Sequence, residues 1–483
     1  MGALCQAPPL LQDLRVTLLR SSIVRPPREP ERRFMFLSNI DQFLDFNVDT
    51  VQFFHANSEF TPAAVAEKLE TALGELLGPY DFLAGRLKWD NSEGRWGVDC
   101  NGAGVGFALA ASEVTLAGLG DLEQPNPAFQ QLVARRVDAM DPDDRPLFVL
   151  QVPKTKSLAC VLKRCAGRVG VGPKTLVTSF ICGGFAVGIS NCHATFDGVS
   201  FRVFLENLAA LAAGKPLAVQ PCNDRRLLAA RAPPQVAFPH PELLMLDARP
   251  PPLPSTITST SVEKPAEEPL PTIIETGPEN LEFKLFRLSS DQISTLKGRA
   301  RADGAPAAAA TSFNIVTAHL WRCKALAAAN APPDKPSMVL YAVDIRGRLR
   351  PPLPRSYTGN AVLSAYGVLT QRELGEKAFG RVVEVVREGS ARMDDEYARS
   401  VVDWGQLHKG FPRGDVFISS WWRLGFDEVE FPWKRPLYCC PLALPRRDII
   451  VLFPTVGGLE KGVNALVALP GEDMKRFEGL FYS

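Results

Sequence analysis

The sequence lacks both a strong net charge and a long apolar run. Its 54 Lys and Arg residues nearly balance its 53 Asp and Glu residues, so no overall field attracts a nucleic-acid backbone or an anionic membrane. No run of about 18 apolar residues, the length of a membrane-spanning helix, occurs in the chain. The opening segment MGALCQAPPLLQDLRV carries no secretory signal, and Ala7 stands where a myristoylation signal requires Ser or Thr. We therefore expect a soluble, cytoplasmic protein without a nucleic-acid partner or a transmembrane segment.

Cysteine patterns and several common catalytic signatures are missing as well. The ten cysteines are scattered without CxxC spacing, and only Cys439 and Cys440 are neighbours, so we predict free thiols and no metal site. The chain has no GxSxG, HExxH or P-loop motif, and no GxGxxG precedes a helix. These absences argue against serine hydrolases, zinc proteases, kinases and dinucleotide-binding enzymes, whose chemistry depends on those residues.

The length of the chain and its composition predict two domains. A chain of 483 residues exceeds the size at which one hydrophobic core stops growing. Strand-like and helix-like patterns mix in residues 1–213 and do so again in residues 283–483. Residues 214–282 are rich in proline and cannot sustain a helix or a central strand. The sequence therefore predicts two α/β domains joined by a crossover linker.

Two segments of the first domain have clear local patterns. Residues 61–77, TPAAVAEKLETALGELL, place leucines and a valine on one face behind Thr61 as N-cap and Pro62 in the first turn. This pattern predicts an amphipathic helix. The run GGFAVGISNCH is typical of a strand that ends at His193, and helical spacing begins after Gly198. His193 is therefore predicted at a strand-to-helix junction, where a rigid sheet can aim a side chain.

His193 is the candidate catalytic residue, within the segment HATFDG. The bare spacing of His193, Asp197 and Gly198 is weak evidence, and a structural histidine is an equal alternative on this motif alone. A histidine without a nucleophilic partner suits direct attack, in which a base removes the proton of a bound hydroxyl that attacks an activated acyl group.

HATFDG resembles the HxxxDG signature of the plant BAHD acyl-CoA-dependent acyltransferases. Further blocks similar to that family occur in the family's order along nearly the whole chain: LAGRL (83–87), PPQVAFPHPE (233–242), TSFNIVTAHLWRC (311–323), VDIRGRLRPPLPRSYTGNA (343–361) and SSWWRL (419–424). The resemblance implies a monomer with a two-domain fold like that of chloramphenicol acetyltransferase and an active-site channel between the domains. It also implies acyl-CoA as a co-substrate, a hydroxyl-bearing small molecule as acceptor and no permanently bound cofactor.

The resemblance also implies roles for individual residues. His193 would act as general base, and Asp197 would turn away from the substrate to pair with Arg346, fixing the loop that ends at Gly198. Ser419 and Trp421 would stabilise the oxyanion, since a hydroxyl and an indole N–H are suited to that task.

Trp421 and the candidate CoA contacts have plainer alternatives. Tryptophan pairs such as Trp421 and its neighbour are more often core aromatics, but their position inside a block of the resembled family favours the oxyanion role here. Ser312 and Arg322 are candidates for contact with the CoA phosphates, although basic residues at a helix end are more often simply solvated.

The sequence departs from the resembled family at two places. EFPWK (430–434) stands where the family has DFGWG; Phe431 and Trp433 are kept as structural residues, but Pro432 and Lys434 replace glycines. Residues 153–177 look like an insertion between two strands, with six basic and no acidic residues. The insertion is either a basic loop for CoA phosphates or an artefact looped out at a hairpin. We favour the second reading, because the flanking strands form an ordinary hairpin once it is removed.

The leading functional hypothesis is transfer of a hydroxycinnamoyl group, such as feruloyl, from CoA to a hydroxyl. LSNIDQ (37–42) and the segment 448–470 look most like transferases that act on ω-hydroxy fatty acids and fatty alcohols. Acylation of a sterol hormone or an aromatic alcohol fits the same residues. The alternative from another class is a non-catalytic BAHD relative that acts as a partner in lipid elongation.

Overall fold

The protein contains two α/β units, as the sequence predicts. The computed structural model describes residues 11–137, 140, 145–153, 180–246, 281–328, 330–442, 446–456 and 462–483. Within these residues each of two six-stranded sheets packs against helices. None of the helices in the described segments combines the length and the apolar character needed to span a bilayer.

The described residues form strands and helices in both halves of the chain. The strands are β1 Thr17–Val24, β2 Arg33–Phe36, β3 Asn47–Phe54, β4 Arg86–Asp90, β5 Arg95–Cys100, β6 Val105–Ala111, β7 Phe148–Pro153, β8 Phe185–Cys192, β9 Leu243–Met245, β10 Leu281–Leu288, β11 Pro336–Asp344, β12 Val362–Thr370, β13 Gly410–Pro412, β14 Val416–Ser420, β15 Tyr438–Pro441, β16 Ile449–Pro454 and β17 Val463–Pro470. The helices are α1 Pro62–Leu76, α2 Gly198–Ala212, α3 Ser290–Ala302, α4 Ser312–Ala327, α5 Gln371–Glu376, α6 Phe379–Ala391, α7 Asp395–Leu407 and α8 Gly471–Phe481.

The first sheet has the order β1-β6-β7-β8-β3-β15. Its core lies between one face of the sheet and helices α1 and α2. The edge strand β15 comes from the second half of the chain and pairs antiparallel with β3, with Tyr438 opposite Phe53. The C-terminal half therefore contributes to both units. The expected division into domains 1–213 and 283–483 places strand β15 in the second domain alone.

The second sheet has the order β10-β17-β16-β14-β11-β12. Its apolar core includes residues from all of the helices α3 to α8. Trp321 is fully buried in this core, and its indole N–H donates to the Ser337 hydroxyl at 2.9 Å. Side chains on the other face of the sheet, among them Val451 and Leu466, belong to a buried cluster with Phe53 and Tyr438 of the first sheet. This face is therefore directed at the first unit.

Helix α1 confirms the amphipathic pattern read from the sequence. Thr61 is the N-cap and its side chain accepts from the Ala64 N–H, with Pro62 as the first helical residue. Val65, Leu69 and the other apolar positions of that face are buried in the first core. Capping satisfies an orphan amide of the first turn, and burial of the apolar stripe supplies most of the stability of such a helix.

The junction at His193 is also where the sequence predicts it. Strand β8 ends at Cys192 and helix α2 begins at Gly198. Strands β7 and β8 pair antiparallel, with Gln151 opposite Gly188. The predicted insertion, residues 153–177, lies outside the described residues beyond Pro153.

The described part of the linker, residues 214–246 and 281–282, contains a short turn of 3-10 helix at Arg225–Leu228 and the short strand β9. Its expected end at residue 282 is wrong by two residues, because Leu281 already begins strand β10. A buried cluster fixes it to helix α7: His240 Nε2 lies 2.9 Å from the Ser400 hydroxyl, and Tyr397 donates to Glu242 at 2.8 Å. Residues 247–280 of the linker lie outside the described residues.

The segment EFPWK forms a tight turn whose aromatic residues are buried. The Lys434 N–H donates to the Phe431 carbonyl at 2.9 Å, and the two rings of Phe431 and Trp433 stack at 5.2 Å. Pro432 occupies the second position of this turn, which proline favours. Lys434 has a φ of 98°, a conformation that glycine adopts without a steric cost. The turn therefore carries backbone strain at Lys434, the position where the resembled family has its second glycine.

This strain predicts that Lys434→Gly stabilises the protein. Because the Lys434 side chain is exposed and only its backbone is unfavourable, we expect the free energy of unfolding to rise by about 1 kcal/mol in chemical denaturation. Lys434→Ala is the matched control, since it removes the same charge but keeps the Cβ atom. Equal stabilisation by both substitutions would attribute the effect to the charge and contradict the prediction.

Candidate active site

His193 lies at the interface between the two units and is held through its backbone from both sides. Its N–H donates to the Phe46 carbonyl at 2.8 Å, and its carbonyl accepts from the Asn360 side-chain amide at 2.9 Å. The imidazole packs against the Phe46 ring with centroids 5.2 Å apart. The residue after strand β8 is therefore fixed by one contact from each half of the chain.

Burial lowers the pKa of the His193 imidazole. Desolvation lowers the pKa of the imidazole below its ordinary value of 6.5, although the Asp197 and Asp41 carboxylates and the Asn360 amide oppose that shift. The neutral ring is therefore the prevailing form at neutral pH. Nδ1 is closed off from solvent and has no hydrogen-bond partner among the described residues, whereas the residue as a whole is partly exposed. Nε2 is consequently the nitrogen better placed to meet a substrate.

Asp197 and Arg346 form a buried ion pair that joins the two units. One guanidinium nitrogen lies 2.8 Å from Asp197 Oδ2, and the other donates to Oδ1 at 2.9 Å. Burial alone would raise the pKa of the Asp197 carboxyl, but the Arg346 charge and several donors hold it below its ordinary value. The same pair keeps the pKa of Arg346 raised despite its burial. Both groups are therefore charged at neutral pH.

The remaining lone pairs of Asp197 are also occupied. As N-cap of helix α2 it accepts from the Ser200 N–H and hydroxyl, both at 2.9 Å, and Oδ2 accepts from the Ala361 N–H at 2.9 Å. A carboxylate with this many donors has little capacity left for substrate. Asp197 therefore fixes the segment between His193 and helix α2 rather than facing the reaction.

A second buried ion pair, between Asp41 and Arg225, supports the same loop. Arg225 Nη1 lies 3.3 Å from Asp41 Oδ2, and both side chains are fully buried. The guanidinium also donates to the carbonyls of Ala194 and Thr195, at 3.3 and 2.8 Å. Arg225 thus holds the two residues that follow His193.

Asn360 connects this pair to His193. Its backbone N–H and side-chain amide both donate to Asp41 Oδ1, at 3.1 and 2.8 Å, and the same side-chain nitrogen donates to the His193 carbonyl. Asp41, Arg225 and Asn360 hold the loop of His193, and sequence reasoning did not identify them. Asp41 lies within LSNIDQ and Asn360 within YTGNA, two segments that resemble the family, but the resemblance assigned neither residue a role. Arg225 lies in the linker, outside every segment that resembles the family.

Ser419 and Trp421 lie at the end of strand β14 and are partly exposed. Val416 and Ile418 of this strand are buried in the second core, so Ser419 points to the opposite face, toward the first unit. Trp421 makes an edge contact with Phe426, with ring centroids 5.4 Å apart.

The turn after Trp421 contacts the start of helix α2. A Cβ atom on Gly198 would lie 2.5 Å from a methyl of Leu424, so the absence of a side chain at Gly198 permits this close approach. Arg202 of the same helix donates to the Leu424 carbonyl at 3.3 Å. The turn that follows Trp421 therefore contacts the first residues of helix α2.

Ser312 and Arg322 are not brought together. Ser312 begins helix α4 with Thr311 as N-cap, and Arg322 lies near the other end of that helix, where it donates to the Gly375 carbonyl at 2.9 Å. Ten residues of helix separate them by about 15 Å along the axis. One phosphate group cannot contact both side chains.

Comparisons with known proteins agree with this architecture. A family model described as "Transferase family" matches residues 14–162 and 175–483. Acyltransferase GLAUCE of Arabidopsis thaliana is 50% identical over 483 residues, which cover 99% of this chain and 98% of that protein. Fatty alcohol:caffeoyl-CoA acyltransferase of Arabidopsis thaliana is 30% identical, with 97% of this chain and 98% of that protein covered.

A solved structure has the same fold. The crystal structure of vinorine synthase superposes with a TM-score of 0.68 at 22% identity, covering 95% of this chain and 96% of that one. Because the family model spans most of the sequence and two acyltransferases match over nearly their full lengths, the chain belongs to the Transferase family and is an acyl-CoA-dependent acyltransferase of the BAHD type.

Proposed function

We propose that the protein transfers a hydroxycinnamoyl group from CoA to a hydroxyl acceptor, with His193 as general base. The observation that carries this proposal is a neutral imidazole fixed at the interface of the two units by two buried ion pairs. A general base must be unprotonated at the working pH and held at a fixed place, and His193 meets both requirements.

The proposed reaction is a direct transfer between the two substrates. His193 Nε2 takes the proton of the acceptor hydroxyl while the hydroxyl oxygen forms a bond to the thioester carbonyl carbon. The carbonyl oxygen becomes an oxyanion. Collapse of this tetrahedral intermediate breaks the C–S bond, and the thiolate takes the proton from His193 to leave as CoA-SH. The acyl group passes directly to the acceptor, without an acyl-enzyme.

Ser419 and Trp421 stabilise the oxyanion in this proposal. Both are partly exposed on a segment that contacts the start of helix α2. A hydroxyl and an indole N–H held by a strand end are fixed donors, and fixed donors stabilise developing charge without reorganising. Ser312 and Arg322 are proposed as CoA contacts at separate parts of that molecule, given their distance along helix α4.

The proposed donor and acceptor classes come from the relatives. The name of one relative specifies a fatty alcohol and caffeoyl-CoA. By similarity we propose a hydroxycinnamoyl-CoA such as feruloyl-CoA as donor and a fatty alcohol or ω-hydroxy fatty acid as acceptor. The purified protein, incubated with a panel of acyl-CoAs and hydroxyl acceptors, should give an ester detectable by product mass.

Replacement of the base tests the mechanism. His193→Ala should lower kcat by about 10²–10⁴-fold, the contribution of general base catalysis, with a melting temperature near that of the wild type. His55→Ala is the control, because His55 is an exposed histidine away from this loop. An unchanged rate in His193→Ala would refute the mechanism, and absence of turnover in the wild type across the panel would favour the non-catalytic partner in lipid elongation.

The pH dependence gives a second test. Protonated His193 cannot accept a proton, so kcat/KM should rise with pH through the pKa of His193 and then level off. Because burial lowers this pKa below 6.5, the acidic limb should have its midpoint below pH 6.5, and the rate should be level around neutral pH. A midpoint above 6.5 in the profile of kcat/KM would contradict this assignment.

The buried ion pair predicts a joint loss of activity and stability. Asp197→Asn leaves the Arg346 charge buried without its partner, which destabilises a protein by about 3–5 kcal/mol. Urea unfolding measures this change, and initial rates measure the accompanying loss of activity.

Asp344→Asn is the matched control for this substitution. Asp344 contacts the same guanidinium at 3.2 Å, but its side chain is 43% exposed, so its loss should destabilise by no more than about 1 kcal/mol. Equal effects of the two substitutions would show that burial does not decide the role of Asp197.

A further inference from the structure

Tyr357 lies between the arginines of the two buried ion pairs. The guanidinium carbon of Arg225 lies 6.0 Å from the centre of the Tyr357 ring, and that of Arg346 lies 5.8 Å from it. The tyrosine side chain is fully buried. A guanidinium over an aromatic face within about 6 Å is attracted by the electron-rich ring, and the attraction is stronger where water is excluded. One ring therefore contacts both of the cations that hold the segment after His193.

The two guanidinium groups have unfavourable terms that this ring can offset. The Nε atoms of Arg225 and Arg346 are buried and have no hydrogen-bond partner among the described residues. The groups also carry like charges, and their contacts with one ring place them no more than about 12 Å apart, a distance at which charges in a dry interface still repel each other. Attraction to the face of the ring therefore compensates part of the desolvation and part of the repulsion of both cations.

The Tyr357 ring is held in place by packing and by its backbone. A Cβ atom on Gly359 would lie 2.6 Å from the Tyr357 hydroxyl oxygen and 2.7 Å from two of the ring carbons, so the ring packs directly on the glycine backbone. On either side of Tyr357 the backbone bonds the linker: the Cys222 N–H donates to the Ser356 carbonyl at 2.9 Å, and the Thr358 N–H donates to the Cys222 carbonyl at 3.0 Å. The ring is therefore a fixed surface for the two cations.

The hydroxyl of Tyr357 has no comparable role. It has no hydrogen-bond partner among the described residues. Burial raises the pKa of this hydroxyl well above its ordinary value of 10, so the group stays neutral and supplies no negative charge to either arginine. The aromatic ring is therefore the part of the side chain that acts on the two cations, and phenylalanine can replace tyrosine here.

We propose that Tyr357 is a positioning residue for His193, whose ring keeps Arg225 and Arg346 in place so that the two ion pairs hold one loop together. Arg225 bonds the carbonyls of the two residues that follow His193, at 3.3 and 2.8 Å. Arg346 pairs with Asp197 at the start of helix α2. A change at the ring therefore reaches the imidazole through both arginines, without contact with a substrate. This inference rests on the proposed function of His193 as general base.

Two substitutions separate the ring from the space that it fills. Tyr357→Phe keeps the ring and should retain the kcat of the wild type. Tyr357→Leu keeps an apolar side chain without a ring and should lower kcat by about 10-fold, the size of one buried cation–π contact, with the KM values of both substrates unchanged. Phe286→Leu is the control for lost packing, because Phe286 is a buried ring on β10, at the edge of the second sheet opposite to β12. It should lower the melting temperature and leave kcat unchanged.

The titration of His193 tests the proposal without catalysis. Desolvation is the main cause of the lowered pKa of this imidazole, and the Asp197 and Asp41 carboxylates oppose it. A loosened interface should therefore raise this pKa toward 6.5 in Tyr357→Leu and leave it unchanged in Tyr357→Phe and Phe286→Leu. Nuclear magnetic resonance of the protein labelled at histidine measures the shift.

A double-mutant cycle with Asp197→Asn gives a third measure, read by urea unfolding. Because the ring acts through Arg346, the double variant with Tyr357→Leu should lose less stability than the sum of the two single losses. Additive losses, an equal loss of kcat in Tyr357→Phe, or an unchanged kcat and His193 titration in Tyr357→Leu would each overturn the proposal. Absence of turnover in every variant, together with a raised His193 pKa in Tyr357→Leu, would refute the proposed function and still support the positioning role.

Discussion

The buried ion pair between Asp197 and Arg346 is the interaction on which the rest of the site depends. Removing two charges from water costs several kcal/mol for each ion, so such a pair persists only when the surrounding groups complete its hydrogen bonds. Here the Ser200 and Ala361 amides complete those of Asp197, and the Tyr357 and Gly359 carbonyls accept from Arg346. The ion pair therefore fixes three segments together: the start of helix α2, the loop after strand β11 and the start of strand β12. The loop of His193 connects strand β8 to the start of helix α2.

The second ion pair, between Asp41 and Arg225, supports the backbone that follows strand β8. His193 and the residues after it have left the ladder of strand β8, so their carbonyls need partners from elsewhere. Arg225 and Asn360 provide them, and Asp41 neutralises the guanidinium in the same buried volume. The low dielectric that keeps the imidazole of His193 neutral would penalise any uncompensated charge nearby. The neutral imidazole of His193, its loop and the two ion pairs therefore share one buried interface.

The sequence predicts the features that depend on neighbouring residues and misses those that depend on contacts between distant parts of the chain. The cap at Thr61, the apolar stripe of α1 and the strand that ends at His193 depend on residues a few positions apart, and all three match the structure. The pairing of β15 with β3 and the contact of Arg225 with Asp41 depend on chain topology. A four-residue strand and an arginine in an irregular linker have no periodicity to identify them, so no local rule places them. The resemblance to the BAHD family predicted Arg346 as the partner of Asp197. Asn360 lies in a segment that resembles the family, but no role was predicted for it.

Strand β15 also constrains how substrates reach the site. It leaves the second unit, pairs with β3 through Tyr438–Pro441 and returns to β16, and the Leu437 amide lies within hydrogen-bonding distance of the Phe53 carbonyl. Moving the two units apart as rigid bodies would break this row of backbone hydrogen bonds as well as the ion pair at Asp197, each at a free-energy cost. Access must therefore come through openings along the interface.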